Sequence, residues 1–168
     1  LTELLLERAK KVIAIEKDKR MVEFLKNKFA KEIKEGKMKI VCGDVLKLPN
    51  DFFSVFFEEK SKVSKGIFEM PRSQKMPFDT YKLVGNIPYY ITGALFKKFL
   101  EAENQPKSIT FVIQKEVAER ILAKNKKESI LSISIKVYGT PEFGGIIKAG
   151  SFYPKPKVDS AIIAVRNI

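Results

Sequence analysis

The chain has 168 residues, with 32 Lys and Arg against 20 Asp and Glu, a formal charge of +12, and no histidine. That length suits one domain with a sizeable core, and 45% hydrophobic with 31% charged residues is the balance of a globular protein, not of a disordered tail. The missing histidine excludes Ser-His-Asp hydrolysis and His-ligated zinc, the single cysteine (Cys42) excludes disulfides within the chain and cysteine metal clusters, and no apolar run reaches the ~20 residues of a membrane span.

Leu1, Leu4, Leu5 and Leu6 with Glu3, Glu7 and Arg8 predict a helix, and because the chain begins inside an element a further segment is expected upstream. Val12-Ile-Ala-Ile-Glu16 is a short apolar run ending in a carboxylate, the pattern of a buried parallel strand. Asp18 is placed to cap a helix through about Lys34, with Met21, Val22, Leu25, Phe29 and Ile33 at helical spacing and Gly36 as its stop. Lys39 to Gly43 predicts the next strand, with Asp44 directly after it. Residues 50–80 set Phe52, Phe53, Phe56 and Phe57 beside polar and Pro/Arg/Ser/Lys stretches and predict an excursion with a local aromatic anchor.

Tyr81 to Gly85 predicts a strand leading into Asn86-Ile-Pro-Tyr-Tyr90, and Ile91 to Glu103 a helix with Leu95, Phe96 and Phe99 inward. Ile109 to Ile113 reads as a buried strand and Lys115 to Lys124 as a basic helix. Ser129 to Val137 is ambiguous: Leu131, Ile133, Ile135 and Val137 alternate as in a strand, while Ile130, Ile133 and Val137 also fit a helical face, and β-branching favours the strand. Glu142 to Lys148 and Val158 to Val165 predict two strands joined by the proline-rich loop 150–157. The alternation of strand and helix predicts an α/β fold with a mostly parallel sheet, which binds ligands at the carboxyl ends of its strands.

Glu16, Asp44 and Asn86 each follow a predicted strand, so two carboxyls and an amide are expected along one crevice. A strand-end carboxylate can accept both hydroxyls of a ribose diol, or an adenine amino group; it can equally well cap the next helix or turn. Asn86-Ile87-Pro88-Tyr89 is the most specific tetrapeptide. An amine on an aromatic ring is a poor nucleophile because its lone pair is delocalised. Two acceptors on its N–H bonds, the Asn86 side-chain oxygen and the Ile87 carbonyl, can turn that lone pair outward, with Pro88 stiffening the turn and Tyr89 offering a stacking face. The same four residues can be ordinary turn chemistry. The excess of positive charge points first to nucleic acid, against the plainer reading of a solubilising or heat-adapted lysine coat.

Asn86-Ile-Pro-Tyr-Tyr-Ile-Thr92, Gln114-Lys-Glu-Val-Ala-Glu-Arg-Ile121 and Phe152-Tyr-Pro-Lys-Pro-Lys-Val-Asp-Ser160, in that order, resemble three signature blocks of the rRNA adenine N6,N6-dimethyltransferases of KsgA type. The likeness covers nearly everything outside residues 50–80, which it marks as an insertion, and implies one catalytic domain over residues 1–168. It implies a Rossmann-like class I methyltransferase with a mostly parallel seven-stranded sheet and a C-terminal antiparallel strand pair, using S-adenosylmethionine and no metal. Glu16 would hold the cofactor ribose and Asp44, with Val45 beside it, the cofactor adenine. Asn86, Ile87, Pro88 and Tyr89 would form the catalytic motif, Asn86 also bordering the cofactor, and Phe152 would close on the other face of an extruded adenine. On its own Phe152 reads as a loop aromatic plugging the core. Lys115, Lys124, Lys126, Lys127, Lys155 and Lys157 would meet RNA phosphates.

The resemblance further implies a helix at Ser129 to Val137, against the alternation, and we follow the resemblance there. It places Leu1 and Thr2 just after the family's glycine-rich cofactor loop, so the 168 residues alone are expected to bind S-adenosylmethionine weakly. The family's small C-terminal helical domain has no counterpart among these residues. The partner expected is small-subunit rRNA or a ribosomal-subunit precursor, met by a cytoplasmic, monomeric protein away from any membrane. The alternatives are an erythromycin-resistance type enzyme acting on large-subunit rRNA, which the Gln114 to Ile121 block opposes, and a non-catalytic RNA-binding or transcription-factor relative.

Overall fold

A computed structural model describes residues 1–49, 52, 81–124 and 126–168. The expected insertion at 50–80 lies outside them apart from Phe52. The chain forms two compact units, Leu1–Pro49 and Asn50–Ile168, and among the described residues no helix is long and apolar enough to cross a membrane.

In the first unit, helix α1 (Thr2–Arg8) precedes strand β1 (Val12–Glu16), helices α2 (Lys19–Lys28) and α3 (Ala30–Lys34) and strand β2 (Met38–Cys42). β1 and β2 pair in parallel from Val12 opposite Met38 to Glu16 opposite Cys42. Leu6, Phe29 and Met38 are buried together, with Val12, Ala14, Leu25, Ile33 and Ile40 packed against them. Asp18 caps α2 by accepting the Arg20 N–H at 2.9 Å. The Arg20 guanidinium, which also donates to it, holds the Asp18 carboxyl at about 2. The single helix expected from Asp18 to Lys34 is two, because Phe29 leaves the helical region (φ −111°, ψ 28°) as its side chain turns into the core. Gly36 ends α3 at φ +72°, donating to the Ile33 carbonyl while Lys37 donates to that of Glu32. This is the left-handed close that glycine adopts without a Cβ penalty.

In the second unit the elements are β3 (Lys82–Asn86), α4 (Thr92–Leu100), β4 (Ser108–Gln114), α5 (Lys115–Ile121), α6 (Ile130–Tyr138), β5 (Thr140–Ile147) and β6 (Ser160–Arg166). The sheet order is β3-β4-β6-β5. β3 runs parallel to β4, and β6 lies antiparallel between β4 and β5, with a register shift between Phe143 and Gly145. This sheet is therefore mixed, with the expected C-terminal antiparallel pair. Its core is Leu95, Phe96, Phe99, Phe111, Ile113, Ile121, Ile135 and Ile163, all nearly inaccessible. Phe96 and Phe111 meet edge to face at 5.2 Å.

Ser129 to Val137 is helical, as the resemblance implied and the alternation did not. Ser129 caps α6 by accepting the Ser132 N–H, and Ser132 and Ile135 are the buried positions, three apart. The Ser132 hydroxyl donates to the Ile121 carbonyl at 2.8 Å, so a polar group fastens α6 to α5. Ile130, Ile133 and Val137 face solvent.

Candidate functional site

Two groups of predicted residues lie at strand carboxyl ends, one in each unit. In the first, Glu16 is the last residue of β1, and the Gly43 N–H donates to its carbonyl, setting Asp44 just past the end of β2. Glu16 Oε1 accepts the Asp18 N–H at 2.8 Å. Asp44 Oδ1 accepts the Leu46 N–H at 3.0 Å and Oδ2 the Lys17 ammonium at 3.1 Å. The Lys17 contact, reinforced by the Leu46 N–H, holds the Asp44 carboxyl below its usual value.

Asp44 thus performs the capping role that was the plainer expectation, whereas Glu16 holds the turn ahead of α2, whose cap is Asp18. Capacity remains, since each carboxylate oxygen accepts more than one hydrogen bond. Glu16 Oε2 meets no donor among the described residues, and Val45 opens a single 3-10 turn, Val45–Lys47, at the position where a backbone N–H has no helical partner. Two carboxyls and an N–H without a partner among the described residues suit a ligand carrying vicinal hydroxyls and an aminopurine, so these residues fit the cofactor that the resemblance implies.

In the second unit Asn86 ends β3, exposed, its side chain making no hydrogen bond among the described residues. The strand can approach β4 closely there because residue 85 is glycine: a Cβ on it would stand 2.9 Å from Ile87 Cγ2 and 3.4 Å from the Phe111 ring. Pro88 (φ −58°, ψ 133°) turns the chain into the 3-10 turn Tyr89–Ile91, where the Thr92 hydroxyl donates to the Tyr89 carbonyl at 2.9 Å. The half-buried Tyr89 hydroxyl is 2.7 Å from that of Ser160, the fully buried first residue of β6.

That bond ties the Asn86–Tyr89 turn to the strand that follows the Phe152 loop. Gln114 and Ile147 both pair with Ser160, so the end of β4 and the end of β5 lie at this edge as well. Phe152 follows the turn Ala149–Ser151 and is half-buried, neither a sealed core plug nor free in water. Asp159 anchors the loop: Oδ1 accepts the Ala149 N–H and Oδ2 the Lys148 ammonium, each at 3.0 Å, while its carbonyl accepts the Lys115 N–H. The Ala149 N–H, then Lys148, hold its carboxyl below the usual range. Sequence reasoning assigned no role to Asp159 or Ser160, although both stand in the third signature block.

The lysines separate. Lys115 starts α5 at the site edge, and Lys155 and Lys157 are exposed on the Phe152 loop. Lys126 and Lys127 are exposed between α5 and α6. Lys124 lies away from that edge, its ammonium 4.5 Å from the ring centre of Phe143, halfway along β5.

A family described as ribosomal RNA adenine dimethylase matches residues 1–168. A curated relative, the ribosomal RNA small subunit methyltransferase A of Dehalococcoides mccartyi (strain BAV1), is 38% identical over 168 residues, covering 98% of this chain and 48% of the relative. The chain spans about half the length of the curated relatives it matches. Among solved structures, the 23S rRNA methyltransferase ErmE is 27% identical with a TM-score of 0.73, over 99% of this chain and 56% of that one. A dimethyladenosine transferase from Plasmodium falciparum is 29% identical, also at 0.73, over 99% and 51%. The fold is that of the Rossmann-like class I rRNA methyltransferases.

Proposed function

The chain belongs to the ribosomal RNA adenine dimethylase family, and from that premise we propose that residues 1–168 form the catalytic domain of an enzyme that methylates N6 of adenine, twice per base, in small-subunit rRNA. The observation that carries the reading is the Asn86–Tyr89 turn at the end of β3, braced through Tyr89 on Ser160 beside the Phe152 loop.

The Asn86 side-chain oxygen and the Ile87 carbonyl accept the two N–H bonds of the adenine amine and turn its lone pair outward. Tyr89 and Phe152 stack on the extruded base and repay part of the cost of unstacking it. Glu16 holds the ribose hydroxyls of S-adenosylmethionine, and Asp44 with Val45 its adenine. The bound cofactor supplies a methyl group already activated on a sulfonium. What the protein adds is alignment of the amine for in-line displacement, and the extra amine proton passes to water. Lys115, Lys155 and Lys157 meet phosphates, with Lys126 and Lys127 further along the same strand of RNA.

Small-subunit RNA is favoured over the large-subunit target named for ErmE because the curated relative named for the small subunit is the more similar, at 38% against 27% identity. The test uses the full-length protein with labelled S-adenosylmethionine and immature small subunits. Wild type should label adenine N6, and Asn86→Ala should lower turnover about 10²–10³-fold, the loss typical of one positioned donor or acceptor at a reacting group. Calorimetry should find cofactor affinity within a few-fold of wild type. Turnover near wild type in Asn86→Ala would remove this residue from the mechanism.

A further inference from the structure

Each loop at the site edge of the second unit carries two successive aromatics in one arrangement. Tyr89 is half-buried and the next residue, Tyr90, is 87% exposed; Phe152 is half-buried and the next, Tyr153, is fully exposed at 103%. Single exposed tyrosines are common on protein surfaces. Here each exposed tyrosine directly follows, in the chain, one of the two proposed stacking faces, on loops fastened at Ser160 and Asp159, and no hydrogen bond or ring contact among the described residues holds either. The charges nearby in the chain are Lys148, paired with Asp159, and the exposed Lys155 and Lys157. Aromatic faces set among lysines are what binds unpaired nucleic-acid bases, because every base has a π-face and its phosphate needs a cation.

We propose that Tyr90 and Tyr153 are stacking platforms for unpaired bases adjoining the methylated adenine, so that the enzyme binds a short single-stranded RNA segment and not one extruded base alone. This rests on the function proposed above and specifies the form in which its substrate is held.

The experiment measures two things in the full-length protein: affinity for a 12-nucleotide oligoadenylate RNA and for an RNA duplex of the same length, by fluorescence anisotropy, and KM and kcat on immature small subunits. Tyr90→Ala and Tyr153→Ala should each weaken oligoadenylate binding about 5- to 150-fold, the range expected for one lost stacked base. Duplex affinity should stay within two-fold, and the kinetic loss should fall on KM rather than kcat. Tyr90→Phe and Tyr153→Phe, which keep the ring, should restore the single-strand affinity. Equal losses for single strand and duplex, or unchanged binding in both alanine variants, would overturn the proposal. A wild-type protein that binds oligoadenylate in this tyrosine-dependent way but methylates no small subunits would instead refute the proposed function and leave the stacking role standing.

Discussion

The hydroxyl pair between Tyr89 and Ser160 places a polar contact where the proposed catalytic turn needs a fixed ring. Tyr89→Phe keeps the stacking face but leaves the fully buried Ser160 hydroxyl without that partner. An unsatisfied buried hydroxyl costs about 1–3 kcal/mol, whereas removing both partners costs much less. Denaturant unfolding should therefore show Tyr89→Phe destabilised in that range and Tyr89→Phe with Ser160→Ala closer to wild type. Additive losses in the pair would show that the two hydroxyls do not depend on each other. Phe152→Ala should impair methylation while keeping most RNA affinity, since one stacked base contributes ~1–3 kcal/mol against many phosphate contacts; loss of folding in that variant would make Phe152 a core residue. Asn86 and Tyr89 could be proposed for the site from the chemistry of their local motif, and Phe152 only from the resemblance, since alone it reads as a core plug. Ser160 could not be, because its partner is 71 positions away and a serine carries no signal of its own.

Elements followed the sequence wherever burial and apolar spacing coincide. β1, β2, β3, β4 and the inward face of α4 stand within a few residues of expectation, although α4 stops at Leu100 and not Glu103. α6 shows where spacing misleads: counting apolar residues treats Ile133 and Val137 as buried, yet both are exposed, and the residue that fastens the helix is Ser132. Asp159 acts at this scale too, holding the loop between β5 and β6. Its carboxyl titrates below the ordinary 3.8 in the folded protein, so its contacts contribute fully above that value and are lost as pH falls through the lower folded one. Asp159→Asn keeps an acceptor for the Ala149 N–H but gives up the charge facing Lys148. Its melting temperature should consequently decline less than that of wild type on acidification below about pH 4. Superimposable pH profiles would mean that the ion pair is idle.

Across the whole molecule the +12 charge was plain from composition, which says nothing of where on the surface it gathers. Lys26 and Lys28 are paired with Glu23 and Glu3, whereas Lys155 and Lys157 stand exposed on the Phe152 loop. Neutralising Lys155 and Lys157 should flatten the plot of log RNA affinity against log salt by about 0.7–0.9 per lost contact, and neutralising Lys26 and Lys28 should change it little. Equal changes would describe a diffuse coat in place of a binding face. The central claim, twofold N6 methylation of small-subunit rRNA, is met most directly by nucleoside mass spectrometry of both ribosomal RNAs from cells with and without the gene. N6,N6-dimethyladenosine should be present in small-subunit rRNA and disappear with the gene; its persistence there, or a gene-dependent dimethyladenosine confined to large-subunit rRNA, would refute the proposed function.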